Sequence, residues 1–301
     1  MGKKITQLAT ITEVADDDLI VGVDVSDTSG SDNGTNKKFT KATLLAGLAP
    51  LGPQLTGWNP DAETWVYHNV DDPTGYFKIE GKDVSANYSV GWRIMFTNGG
   101  NVIKGIITAI TYSDPDTIIT FLHEIDPADN QALYLLQNSA ITENYVSPHK
   151  APLGFPMSPA KWTLTYSDSG SNRTQASPTN DVWYNINTAL LSVPIGVWRL
   201  GYRVLAGASC SSPATYIQVF TTLSTSNNNA SDSGFTALFG GDFASANLSI
   251  SDYREVEKTL ALTSKTTYYL NTRTFTGGTI SNISNNGYQR PILIYAECAY
   301  L

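Results

Sequence analysis

Cysteine is nearly missing from this 301-residue sequence; Cys210 and Cys298 stand far apart, with no CxxC spacing. Two thiols cannot form a disulfide framework, so both are read as buried free thiols in a chain assembled in a reducing cytoplasm. Charge is also scarce, with Asp, Glu, Lys and Arg at 15%, against a usual share of about a quarter. The balance is acidic, a net charge of −8 with a pI near 4.8. Phosphate-backbone binding needs clustered Lys and Arg, so nucleic acid is excluded as an expected partner. No apolar run approaches the roughly 18 residues of a membrane span, and no membrane insertion is expected. The opening MGKKITQLATITEV has two lysines but no continuous apolar stretch, so it does not read as a secretory signal. No repeat of fixed period is present, which argues against a stacked β-helix.

What fills the space is polar but uncharged. Runs rich in Ser, Thr, Asn and Gly, such as Thr222 to Ser233, favour strands and turns over helices. Hydrophobic residues make up 41% and aromatics 11%, including 16 Tyr and 6 Trp, enough for real cores with amphipathic rings at their margins. The chain therefore reads as mainly β, in three parts. Residues 1–52 form a short segment with Ile5, Leu8 and Ile11 at spacings of three. Leu19, Val21, Val23 and Val25 then alternate on one strand face. A loop of turn formers and an amphipathic helix in KKFTKATLLAGL, carrying Leu44 and Leu45, complete the segment. It cannot build a core alone, so self-association or a partner is expected.

Residues 53–157 predict a small antiparallel β domain. WRIMFT, the turn NGGN, VIKGIITAITYS, the turn DPDT and IITFL read as three strands. NGG supplies positive φ, and Pro115 is placed at the second position of a type I turn. A short helix is expected at Pro127 to Asn138, followed by a stiff linker through Pro148, Pro152, Pro156 and Pro159. Residues 158–301 predict a β-sandwich of jelly-roll type. Its strand candidates are KWTLTY, DVWYNI, GVWRLGYRVLAG, TYIQVFTTLS, ANLSIS, YREVEKTLALT, TTYYLNTRTF and PILIYAECAYL. The last is apolar on both faces. It is expected to be buried in a sheet or at a subunit contact, and Ile292, Ile294, Tyr300 and Leu301 are the candidates for a contact between three copies of the chain.

His68, His123 and His149 lack HExxH or HxH spacing, and His123-Glu124 with Asp126 reads as a strand-end turn rather than a metal site. Histidines gathered on a threefold axis are the one metal arrangement left open. Asp16 to Asp18, Asp71-Asp72 and Asp114 with Asp116 sit among turn formers, where Asp caps backbone, rather than as a paired acid and base. There is no GxSxG elbow and no GxxxxGK[ST] loop, so no catalytic residue, metal or cofactor is expected. Trp198, Tyr202, Tyr216 and Phe220 lie in strands and read as core in preference to a sugar platform. Phe235, Tyr253 and Tyr288 fall near turns and read as surface or ligand contacts.

Three phrases carry a resemblance. Ile5, Thr6, Leu8, Ala15, Asp17, Asp18, Leu19, Val23 and Asp24, then Lys37, Lys38 and Thr40, match a pattern seen at the start of phage tail-fibre and appendage proteins. The middle part is similar to a small β domain of phage minor structural proteins. It matches through Gly57-Trp58-Asn59-Pro60 with Glu63-Thr64-Trp65-Val66-Tyr67, Gly91-Trp92-Arg93-Ile94-Met95-Phe96-Thr97, Ala140 to Tyr145, and Gly154-Phe155-Pro156. HNVDDPTGYFKIEGKD departs from that pattern as an insertion. The C-terminal part resembles only the architecture of trimeric jelly-roll tips.

The resemblance implies a homotrimeric, non-enzymatic structural protein of a bacteriophage virion, assembled in the host bacterial cytoplasm. It would dock to capsid, neck or tail proteins through Ile5, Leu8, Ile11, Leu19, Val21, Val23, Leu44 and Leu45. The outer sandwich would contact a glycan or protein receptor. A capsid-decoration or head–tail adaptor role is the alternative, and a polysaccharide-degrading tailspike stands behind both.

Overall fold

The computed structural model describes residues 19–24, 35–40, 56–186, 188–212, 214–243 and 249–301, with backbone alone at 19–24, 35–40, 214–215 and 242–243. Two compact units are present, residues 1–59 and 60–301. In the first, β1 (Leu19–Asp24) pairs antiparallel with β2 (Thr35–Thr40), Leu19 opposite Thr40 and Asp24 opposite Thr35. The expected helix starting at Lys37 is therefore corrected over Lys37 to Thr40. Thr35, Phe39 and Thr40 favour extended backbone, and β1 satisfies their hydrogen bonds. The rest of that helix lies outside the described residues.

The second unit begins with a seven-stranded antiparallel sheet. Its strands are β3 (Asn59–Pro60), β4 (Val66–Asp71), β5 (Thr74–Ile79), β6 (Arg93–Asn98), β7 (Asn101–Ser113), β8 (Asp116–His123) and β11 (Ile141–Ser147), in the order β3-β11-β6-β7-β8-β5-β4. NGGN closes the β6–β7 hairpin with Gly99 at φ 57° and Gly100 at φ 81°, as its composition requires. The β7–β8 turn is corrected: Asp114-Pro115 is cis, so Pro115 takes the third position, where proline sits in a type VI turn. The insertion-like stretch forms the β4–β5 hairpin, turning on the cis bond Asp72-Pro73.

Alternation puts Phe77, Ile79, Ile94, Phe96, Ile119 and Phe121 on one face, where Trp65 stacks on Phe77 at 4.1 Å. Fully burying each such side chain contributes about 1.5–3 kcal/mol. Asp61 joins the Trp58–Tyr67 stretch to Tyr88 and to Asn144. Its Oδ2 accepts from Trp65 Nε1 at 3.1 Å and from Tyr88 Oη at 2.6 Å, and its N–H donates to the Asn144 carbonyl. Burial, then the Asp61 carboxylate, pushes the Tyr88 hydroxyl well above its ordinary pKa.

The helix expected at Pro127 to Asn138 is absent. Asp126 Oδ1 accepts from the Ala128 N–H and Asp129 Oδ1 from the Gln131 N–H, while Asn130 adopts φ 63°. These local bonds compete with helix formation, and the segment closes a small hairpin between β9 (Ile125–Asp126) and β10 (Gln131–Ala132). The proline-rich stretch is likewise packed rather than a free spacer. Phe155 stacks on Trp162 at 5.1 Å, and Trp162 Nε1 donates to the Pro156 carbonyl.

The C-terminal part is a β-sandwich. One sheet is built on β15 (Gly196–Cys210). β18 (Ser249–Leu262) pairs with one side of it, while β21 (Ile292–Cys298) and β20 (Ile280–Asn286) pair with the other. These are flanked by β12 (Thr163–Asp168) and β13 (Asn172–Ala176) respectively. The other sheet runs β14 (Leu190–Val193), β19 (Thr266–Thr276), β16 (Ala214–Ser224), β17 (Ala237–Phe243). Trp198, Leu200, Tyr202 and Val204 point inward from β15 toward Ile217, Val219 and Leu223 of β16. Burial pushes the Tyr202 hydroxyl up to about 12, and it faces the Thr221 and Phe235 carbonyls, as acceptors, at 2.9 and 3.1 Å. Ser249 to Ser251 of ANLSIS and Tyr253 to Leu262 of YREVEKTLALT belong to the single strand β18, and the start of ANLSIS lies outside the described residues. DVWYNI is irregular and lies along β19, through the Tyr184–Thr272 bridge and the Asp181 N–H, which donates to the Thr274 carbonyl.

Within this unit the seven-stranded sheet is tied to the end of the C-terminal sandwich by Arg93, which is fully buried. Its guanidinium donates to the carbonyls of Lys150 (3.0 Å), Gly91 (2.6 Å) and Tyr300 (2.9 Å), and lies 5.1 Å from the Phe155 ring centre. Asn130 acts as a surrogate strand, its amide both donating to the Thr165 carbonyl and accepting from the Thr165 N–H.

Candidate functional site

The two outer faces of the sandwich differ in chemistry. On the β15 sheet, Arg199 bonds Glu257 at 3.0 Å and Arg203 bonds Glu255 at 2.8 Å. Tyr295 lies across Gly201 to donate to Glu257 at 2.9 Å. A Cβ on Gly201 would collide with the Tyr295 hydroxyl, so this crossing needs glycine there. Burial, then Glu257, pushes the Tyr295 hydroxyl up to about 12. Every charge on this face has a partner, and it is built for solvent.

The outer face of the β14-β19-β16-β17 sheet is aromatic. Register places Leu238, Phe220 and Arg273 side by side across β17, β16 and β19, with Gly240, Gln218 and Phe275 in the next row. The Arg273 guanidinium is sandwiched, 4.8 Å from the Trp183 ring centre and 4.4 Å from that of Phe220, and bonds Asp181 at 2.6 Å. Tyr216 and Phe275 form a tilted pair at 5.5 Å. Leu238 is 50% exposed and Phe275 39%. Beside them an open groove of about 310 Å³ is lined by Tyr216, Gln218, Leu238, Phe239, Gly240 and Gly241. A side chain on Gly240 would run into the Ile217 carbonyl, so the close β16–β17 approach keeps the groove floor bare. A second groove, between β17 and β18, shares Phe239 and Gly240 and reaches Asp252 and Arg254.

Tyr216 and Phe220, in strands, are expected in the core beside Trp198 and Tyr202. The latter two are indeed interior, but Tyr216 and Phe220 share the outer face with Gln218 while Ile217 and Val219 fill the core. The signal was available: a strand apolar on both faces, YIQVF, has one face left over for contact.

The residues singled out from sequence scatter. Phe235 is corrected from surface to core, 1% exposed, with Tyr268 at its edge and Lys258 over its ring. Tyr253 is half-buried beneath Arg290, and Tyr288 is 78% exposed in a turn. Ile292 and Ile294 are corrected from an intersubunit contact to the chain's own core, because β21 is flanked on both sides by β12 and β15. Tyr300 and Leu301 are held within the chain, their carbonyls accepting from Arg93 and Lys150. Of the docking residues, Leu19, Val21 and Val23 lie on β1, while Ile5, Leu8, Ile11, Leu44 and Leu45 lie outside the described residues.

The carboxylate pairs are occupied where described. Asp71 pairs with Lys265, Asp72 accepts from the Ala132 N–H, Asp114 from the Tyr112 hydroxyl, and Asp116 binds Lys78 and the Gly81 N–H. Glu124 pairs with Lys161. No helix among the described residues is long and apolar enough to cross a membrane.

No protein-family model matches the sequence, and no curated protein does. Among solved structures, the chain is similar to dimeric latent PorU from Porphyromonas gingivalis at 11% identity and a TM-score of 0.25, covering 79% of this chain and 24% of that one. It is also similar to infectious bursal disease virus, Gx strain, at 11% identity and a TM-score of 0.29, covering 89% and 63%. For the VP2 subviral particle of that virus the values are 10%, 0.26, 84% and 82%. At these scores the fold assignment rests on the strand pairing itself.

Proposed function

We propose that this chain is a non-enzymatic structural protein of a bacteriophage virion, docked through its N-terminal segment and engaging the host surface with the outer face of the β14-β19-β16-β17 sheet. The N-terminal and middle-domain phrases supply the virion part of this reading. The observation that carries the attachment part is the Trp183–Arg273–Phe220 stack, with Leu238 and Phe275 exposed beside it. Aromatic and Arg side chains held rigid on a sheet lose little entropy on contact and are the residue types that dominate binding energy. A contiguous apolar patch on one face, opposite an ion-paired one, marks a contact surface. A decoration or adaptor role would use the same face against another virion protein.

Fluorescently labelled full-length chain should bind cells of the bacterium in which the particle multiplies, saturably, and lose binding with Leu238→Asp/Phe275→Asp. Immunogold against the chain should label intact particles. Unlabelled particles overturn the virion role. Labelled particles with no cell binding favour the decoration role.

A further inference from the structure

The geometry points to the groove along β16 and β17 as a subsite for an uncharged carbohydrate, seated on Tyr216 and Leu238 and bonded by the Gln218 amide. This deepens the attachment reading and rests on it. The groove combines three features that a neutral sugar needs. Ring and aliphatic faces of Tyr216, Phe275 and Leu238 offer flat apolar surface to the C–H face of a pyranose. The Gln218 amide and the Tyr216 hydroxyl have no hydrogen-bond partner among the described residues, which leaves donors and acceptors for sugar hydroxyls. The floor at Gly240 and Gly241 carries no side chain, so a ligand can approach the backbone.

Charge selects the occupant. The cations nearest the groove are already neutralised, Arg273 by Asp181 and Arg254 by Asp252, each at 2.6 Å. A chain of net charge −8 repels polyanions. An uncharged polyol is complementary to such a site, and an acidic polysaccharide is not. The volume of about 310 Å³ is at the lower end of small-ligand sites, which suits one or two sugar rings of a longer glycan lying across the sheet.

The test titrates the full-length chain by calorimetry with short neutral oligosaccharides of glucose, galactose, mannose and N-acetylglucosamine, with polygalacturonate as the anionic comparison. One neutral series should bind with a Kd below about 1 mM. Gln218→Ala and Tyr216→Ala should each weaken it at least tenfold, or about 1.4 kcal/mol, with unchanged melting temperature. If Tyr216→Ala does not fold, Tyr216→Phe, which removes only the hydroxyl, replaces it. Absence of neutral binding, preference for polygalacturonate, or full binding by Gln218→Ala overturns the assignment.

Cell binding separates this from the attachment reading. Binding abolished by periodate but not by proteinase treatment of the cells supports the glycan. The reverse indicates a protein partner and overturns it while attachment stands. Self-association of the chain abolished by Leu238→Asp assigns the face to a second copy and overturns both.

Discussion

Replacing His123 by leucine separates the cost of a buried imidazole from every other source of acid sensitivity. His123 ends β8 on the core face, 1% exposed, against Phe121 at 4.6 Å and above Gly75. Neither ring nitrogen has a hydrogen-bond partner among the described residues. Burial pushes its pKa from 6.5 down to about 3; the backbone of Tyr134, which pulls the other way, lies outside hydrogen-bonding geometry. Below pH 6.5 the unfolded chain binds a proton that the folded chain refuses, so stability is complete above that pH and falls as pH drops toward 3. Over the two pH units from 6.5 to 4.5 the loss is about 2.7 kcal/mol, at 1.36 kcal/mol per unit.

Carboxylates with lowered pKa, such as Asp83, Asp116 and Asp232, also lose their contribution as pH falls, but equally in parent and variant. The difference between the two isolates His123. Urea unfolding at pH 7.5 and 4.5 should show His123→Leu at least as stable as the parent at the higher pH, since unpaired buried nitrogens cost about 1–3 kcal/mol each. At pH 4.5 the variant should gain about 2–3 kcal/mol on the parent. An unchanged difference between the two pH values would refute the reasoning and mean that the ring is hydrated or hydrogen-bonded.

Three further outcomes follow from packing. Arg93→Met should lower unfolding free energy by at least about 3 kcal/mol, because three carbonyls lose a charged donor; Arg93→Lys should recover less than half, lacking the planar fork. Phe235→Ala should cost about 3–5 kcal/mol by chemical denaturation and leave cell binding of the folded fraction intact, the opposite of a surface contact. Asn130→Asp replaces the donor to the Thr165 carbonyl by an acceptor and should lower the melting temperature in a thermal melt.

Much of the sheet scaffold was legible because local chemistry and global fold agree there. NGGN demands positive φ, and the strands on either side alternate. The failures have local causes. Pro127 looks like a helix start, but Asp126, Asp129 and Asn130 bond their own backbone. β13 and β20 escaped notice because NRTQA and ISNISNN are polar. The inward Asn285 is satisfied by Thr272 across the core, a pairing that no sequence pattern announces. Phe235 was misplaced because proximity to a turn does not say which way a ring points. The aromatic face was half visible. Tyr216 and Phe220 stand out in the sequence, but Arg273 joins them through the β16–β19 register and Trp183 through the Tyr184–Thr272 bridge, contacts between residues far apart in the chain.

β18 gives the sandwich a 14-residue strand that pairs with β15 alone among the described residues. Its centre reads Arg254-Glu255-Val256-Glu257-Lys258. Antiparallel pairing of two such edges about Val256 sets Arg254 against Lys258 and Glu255 against Glu257. Centring on Arg254, Glu255 or Glu257 sets that residue against its own copy. Like charges directly opposite destabilise a ladder, so each of these registers is closed to strand-by-strand growth. The longest open edge among the described residues thus works as insulation, and many copies can be crowded together without templating a fibre.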